Sequence, residues 1–278
     1  MLPLYRIGRL LQNPAEIEHK VYADFNDVNM ARNFIRAVIF DLGGTLMYER
    51  ESWHSVNSKA DEALTRYLIG QGLEINLSTF PLEFRRRLDE YFKQREKDLL
   101  ETTYSSVLRD VLTSKGYGNL SEKILRTALD HLFAVTQTNW VLEDDALPTL
   151  KKLEESGYKL GLISNAGDDK DVQQLARGFR IANYFDFILS SAACSYRKPH
   201  PRIFELALAN WYLLPSEAVM VGDNLLADIR GAKSVGIYGI WISRRAGQRT
   251  NEELPIQPDA SLATLAELPA TLDLLQVK

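Results

Sequence analysis

The run Ala37-Val38-Ile39-Phe40-Asp41-Leu42-Gly43-Gly44-Thr45-Leu46 constrains the fold more than any other stretch of the chain. Val38-Ile39-Phe40 is an unbroken apolar, β-favouring run, short enough to be a strand buried on both faces. It stops at Asp41, and Gly43-Gly44 breaks it, since glycine reaches φ > 0 and lets a small group come close to the backbone. A carboxylate leaving a buried strand into a glycine turn can face the crevice at the carboxyl edge of an open α/β sheet, where such sheets bind ligands. An aspartate that merely caps its own turn is the competing explanation. The rest of the chain has to decide between them.

After Thr45 the apolar spacing changes to a period of 3.6. It predicts helices over 52–69, 79–98, 103–115 and from Ser121 towards Gln137, with no strand between them. The Arg85-Arg86-Arg87 run on the second helix reads as a solvated face. From Asp144 onward, strands and helices alternate. Strands are predicted at 159–165, 185–190, 218–221 and 238–242, and a last one near Ala260. Helices are predicted at 146–156, 170–177, 201–208 and 226–235, with a short one after Ala266. That alternation implies an α/β fold with a parallel sheet and right-handed crossovers, interrupted by an all-α bundle. The domains read as an N-terminal, helical extension over 1–35, a core over 36–48 and 141–278, and the bundle over 49–140. Trp53 and Trp140 flank the two ends of the bundle and read as packing residues.

Composition narrows the function. The chain has 278 residues, enough for a core of real size, and a formal net charge of −4 with both signs interspersed. A nucleic-acid-binding surface normally carries a clustered basic excess, so no nucleic-acid partner is expected. No apolar run approaches membrane-spanning length, and no membrane partner is expected. Leu4, Ile7, Leu10 and Leu11 recur at helical spacing, but acidic residues follow too soon for a targeting peptide. The single cysteine, Cys194, excludes an internal disulfide and suits a reducing compartment, so a cytoplasmic location is expected. With four scattered histidines a His/Cys zinc site is not expected, and any metal should be a hard cation on carboxylates. Cys194 reads as a buried, inert thiol, and His200 as a residue opening a helix.

Several predicted strand ends direct polar groups to one edge: Asp41, Ser164 with Asn165, and Asp223 with Asp228, joined by Lys198 from a loop–helix junction. Two carboxylates from different strands can hold one Mg²⁺ that keeps several waters. A lysine beside them neutralises charge as a phosphoryl group approaches, and a serine hydroxyl with backbone N–H groups holds its oxygens. An aspartate so placed is a candidate nucleophile.

At these residues the sequence resembles the haloacid dehalogenase-like hydrolase superfamily. Asp41-Leu42-Gly43-Gly44-Thr45 is similar to its first motif, Ile163-Ser164-Asn165 to its second, Arg197-Lys198-Pro199 to its lysine motif, and Val221-Gly222-Asp223-Asn224 through Asp228 to its acidic motif. The resemblance implies a Rossmann-like core with helices on both faces, and makes the bundle a helical cap. It implies a Mg²⁺-dependent hydrolase acting on a small phosphorylated molecule. Asp41 would be the nucleophile and a metal ligand, with the Gly43 carbonyl, Asp223 and Asp228 completing the metal set. Ser164, Asn165, Gly44, Thr45 and Lys198 would bind substrate, with Ser164 and Lys198 on the phosphoryl oxygens.

One residue departs from that pattern. Phosphatases of the superfamily carry a second aspartate two residues after the nucleophile, which protonates the leaving group; here it is Gly43. A positioned acid is worth roughly 10²–10⁴ in rate, about 3–5 kcal/mol of barrier. Two alternatives follow: a dehalogenase- or phosphonatase-like hydrolase, the former taking a halogenated substrate, and a phospho-ligand sensor that turns over slowly.

Overall fold

The computed structural model describes residues 34–245 and 256–275. The helix expected in the N-terminal extension falls on residues 1–33, outside the described residues. β1 (Ala37–Phe40) is followed by β2 (Met47–Glu49), and then by four helices, α1 (Trp53–Gly70), α2 (Phe80–Asp98), α3 (Tyr104–Ser114) and α4 (Glu122–Gln137). The chain returns through β3 (Trp140–Leu142) to α5 (Ala146–Glu155), β4 (Lys159–Ser164), α6 (Asp169–Gly178) and β5 (Phe187–Ser190). A short helix α7 (Ser191–Cys194), then α8 (Pro201–Ala209), β6 (Ala218–Gly222), a π turn at Leu225–Arg230, α9 (Gly231–Ser234), β7 (Tyr238–Ile242), β8 (Ala260–Leu262) and α10 (Leu268–Leu275) complete it.

The six-stranded sheet has the order β5-β4-β1-β6-β7-β8, and every pair is parallel. All four residues of β1 are buried. Successive side chains point to opposite faces, so Val38 and Phe40 join the core under α5, α6 and α10, while Ala37 and Ile39 join the one under α8 and α9. Burying a side chain such as Phe40 contributes roughly 1.5–3 kcal/mol. The central strand is therefore fixed from both sides. Helices on both faces of a parallel sheet make this the Rossmann-like α/β fold anticipated from the alternation of elements.

Register decides where chemistry can occur. Phe40 pairs with Leu162 of β4 and Val221 of β6, so Asp41, Ser164 and Asp223 emerge together at the carboxyl edge of three adjacent strands.

The four helices between β2 and β3 close on a hydrophobic cluster of their own, built around Leu64, Phe84, Leu108 and Leu129. β2 and β3, which the helical and α/β periodicities did not predict, pair as an antiparallel ribbon with Glu49 opposite Trp140. Arg85 corrects the reading of its arginine run. It is an inward partner of buried Asp61, with Nε and Nη2 donating to the carboxylate at 2.8 and 2.6 Å, while Arg86 and Arg87 do face solvent. The helix expected over 226–235 begins instead as the π turn, which carries Asp228 into the interior.

Candidate active site at the carboxyl edge of the sheet

Asp41 leaves β1 with its backbone N–H donating to the Val221 carbonyl at 2.9 Å. Lys198 Nζ donates to Asp41 Oδ1 at 2.6 Å and to the Ile163 carbonyl at 3.0 Å, and lies 2.7 Å from Asp228 Oδ1. Lys198 and Asp228 are 3% and 1% exposed. A lysine this deep is normally discharged. Burial does pull it down, but Asp228 and Asp41 outweigh burial and leave its pKa above the ordinary value.

Asn165 grips the lysine from the side. Its carboxamide accepts from the Lys198 backbone N–H and donates to the Lys198 carbonyl, both at 2.8 Å. Asn165 lines the cavity, and the polar atoms of its side chain are engaged in positioning Lys198. Thr45 and Gly44 do not line the cavity itself and sit directly behind it. The Thr45 hydroxyl donates to Asp41 Oδ2 at 3.3 Å, holding the nucleophile candidate. Gly44 has φ +88°, and a Cβ there would overlap the Asp223 carboxylate. Only glycine supplies both that conformation and that space.

Asp41, Asp223 and Asp228 each offer an oxygen within 4.8 Å of the others. Burial, with Asp41 and Asp228 adding to it, pushes the Asp223 carboxyl up to about 7. Asp228 is also held above the carboxylate range, by burial first and against the pull of Lys198. Among the described residues, Lys198 is the one cation ion-paired with this cluster. Three carboxylates facing one ammonium carry an excess of negative charge that a hard divalent cation relieves, and oxygen donors at this spacing suit one. Asp228 also ties down the turn after β6, where its Oδ2 accepts from the Asn224 N–H at 3.0 Å.

These groups open into a cavity of about 370 Å³, which Ser164 also lines. Its far wall contains residues that motif reading did not single out as functional. Trp140, expected only to pack, lies over Gly43: a Cβ on Gly43 would be 3.0 Å from Trp140 Cη2. Its ring leans on Trp53, with centroids 5.0 Å apart. Asp171, in the first turn of α6, accepts from Gln137 Nε2 at 2.8 Å, and burial pushes its carboxyl up to about 6. Arg197, next to Lys198, pairs with buried Glu101 from the α2–α3 loop. The sequence did hold one signal for the last, an arginine immediately before the lysine of the motif. His200 lies outside this wall and caps α8, with Nδ1 accepting from the Arg202 N–H at 3.1 Å.

Residues 35–236 match the haloacid dehalogenase-like hydrolase family model. The chain belongs to the haloacid dehalogenase-like hydrolases. Haloacid dehalogenase-like hydrolase domain-containing protein 3 of Danio rerio is 29% identical over 247 residues, covering 86% of this chain and 96% of that protein. A glyceraldehyde 3-phosphate phosphatase of Methanopyrus kandleri is 30% identical over 234 residues, 80% of this chain and 91% of that protein. Among solved structures, a 2-haloacid dehalogenase from Pseudomonas syringae pv. Tomato DC3000 superposes with a TM-score of 0.62 at 27% identity, over 86% of this chain and 99% of the other. No helix among the described residues of this haloacid dehalogenase-like hydrolase is long and apolar enough to cross a membrane.

Proposed function

We propose that this hydrolase is a Mg²⁺-dependent phosphohydrolase of small phosphorylated molecules, with Asp41 as nucleophile and the helical bundle over 49–140 as its cap. The observation that carries the reading is the Lys198 ammonium shared between Asp41 and Asp228 beneath a third carboxylate, Asp223. Asp41, Asp223 and the Gly43 carbonyl would hold the metal, and Asp228 would support Asp223 while orienting Lys198. When bound, the ion neutralises the charge of the transferring phosphoryl group. Lys198 would neutralise the same charge, and Ser164 would hold a phosphoryl oxygen. Thr45 and Lys198 together fix the Asp41 carboxylate for attack. The relative from Methanopyrus, a phosphatase by name, supports the same reaction class.

The test is hydrolysis of p-nitrophenyl phosphate by wild type and Asp41→Asn, each with and without Mg²⁺. The expected result is metal-dependent turnover that falls at least 10³-fold in the variant. Equal rates in the two proteins overturn the reading. A second reading is a dehalogenase-like hydrolase, favoured by the aromatic ring over Gly43 and by the similarity to the Pseudomonas dehalogenase. Halide release from a 2-haloacid without added metal would replace the first reading with this one.

A further inference from the structure

Gly43 has no left-handed backbone, so nothing in its own conformation forbids a side chain. The obstruction comes from outside. A Cβ at position 43 would meet the rim of the Trp140 indole, with Cη2 at 3.0 Å and Cζ3 at 3.4 Å. Carbon atoms at 3.0 Å are inside van der Waals contact, so a side chain at position 43 fits only if the ring gives by a few tenths of an ångström. The ring is not loose. Its backbone is paired to Glu49 in the β2–β3 ribbon, and its other side is braced by Trp53. The same ring lines the cavity that holds Asp41, Lys198 and Asp223. The space beside the nucleophile where a side chain at position 43 would start is therefore crowded by an indole, which has no proton to give from its ring carbons.

We infer that Trp140 is a specificity-determining residue that restricts turnover to phosphoryl compounds whose leaving group departs as a stable anion without a proton, acyl phosphates above all. The inference rests on the proposed phosphohydrolase reading. In the first step an Asp41 carboxylate oxygen bonds to phosphorus, the bond from phosphorus to the acyl oxygen breaks, and its electron pair leaves on the carboxylate. No proton moves. In the second step a water oxygen bonds to phosphorus, the bond to Asp41 breaks with its electron pair returning to Asp41, and the water's protons pass to the released phosphate and to solvent. A carboxylate leaving group, with a conjugate acid near pKa 4, needs no help, whereas a phenolate near pKa 10 needs some and an alkoxide needs a full proton.

The experiment measures kcat/KM for acetyl phosphate, p-nitrophenyl phosphate, phenyl phosphate and an alkyl phosphate, in Mg²⁺, with Asp41→Asn as background. Wild type should lose roughly 10²–10⁴-fold from the best leaving group to the worst, the span a positioned acid is worth. Gly43→Asp alone should keep that slope and melt at a lower temperature than wild type. Gly43→Asp combined with Trp140→Ala should flatten the slope and melt above Gly43→Asp. A flat series in wild type overturns the inference. So does a series that steepens only in Asp171→Asn, which would make Asp171 the proton donor. Melting temperatures of the two position-43 variants that do not depend on Trp140 overturn it as well, without reference to activity. Absence of phosphate release from every member, with Asp41→Asn indistinguishable from wild type, removes the phosphohydrolase reading and this substrate class with it.

Discussion

Asp171 shows how a single buried carboxyl ties stability to pH in this molecule. Burial is the main cause of its rise from 3.8 to about 6, with Asp168 adding and the Gln137 hydrogen bond opposing. Below pH 4 the group is protonated in both folded and unfolded chains and contributes nothing to the difference. Between about 4 and 6 the folded chain binds more protons, so stability falls as pH rises through that window and stays lower above it. The deficit above pH 6 has an upper bound of about 3 kcal/mol. Asp171→Asn should therefore raise stability at pH 7.5, by about 1–3 kcal/mol in urea unfolding, and leave it nearly unchanged at pH 4. A stabilisation of equal size at both values would mean that the carboxyl is ionised too easily to matter.

Much of the site was legible in the sequence because each motif is local: an apolar run, its last residue, and a polar group one or two positions on. Asp41, Ser164 and Asp223 needed only strand ends to be recognised, and Lys198 the loop–helix junction before Pro201. Their neighbours in the fold could not be read in this way. Trp140 covers Gly43 across most of the length of the inserted helices, and that contact depends on a ribbon of three-residue strands too short to show a period. For Asn165, Thr45 and Gly44 the motif states residue types and not directions. Their hydrogen bonds and φ angles turn them towards Lys198, Asp41 and Asp223.

At the level of elements, the sheet holds its edge in line through close packing between strands and the helices above them. Gly161 in β4 lies where a Cβ would overlap the Phe187 ring and come within 2.8 Å of Trp211. Those two rings pack on each other with centroids 4.8 Å apart, and the Trp211 indole donates to Asp186 at 2.7 Å, so neither can move aside freely. Gly161→Ala should destabilise the protein by about 1–3 kcal/mol, as overpacking does in a filled core, read from the midpoint of urea unfolding. An unchanged midpoint would show that the rings yield. The π turn works differently. It widens the start of the helix after β6 so that Asp228 reaches inward to Lys198, a feature invisible to a pattern of period 3.6.

For the whole molecule, the bundle and the sheet are joined by more than the ribbon. The loop between α2 and α3 hydrogen-bonds to the strand-like segment before Lys198: Glu101 N–H donates to Ser195 and Arg197 N–H to Leu99, both at 2.9 Å. Glu101 also carries a carboxylate with no exposed area between Arg95, Arg197 and Ser191. Removing the charge from a buried ion network leaves its partners uncompensated and costs about 3–5 kcal/mol. Glu101→Gln should therefore lower Tm by roughly 6–20 °C. Arg86→Ala, which breaks an exposed pair on α2, should shift it by less than about 2 °C. Calorimetry of the two variants decides whether the loop acts as a rivet or as a surface contact.

The ribbon has a consequence for how such a chain can be assembled at all. Glu49 and Trp140 lie directly opposite one another, at a separation that a two-residue turn closes in ordinary hairpins. The chain thus leaves the ribbon after residue 49 and re-enters it at residue 140, directly opposite. Holding the ends of so long an excursion together costs only a few kcal/mol more than a tight turn, because closure entropy grows with the logarithm of length, and the excursion repays its own ordering through a separate core. Topologically, residues 50–139 are an insertion between facing positions of one ribbon, with a core of their own, and they leave the register of β1, β4 and β6 as it is.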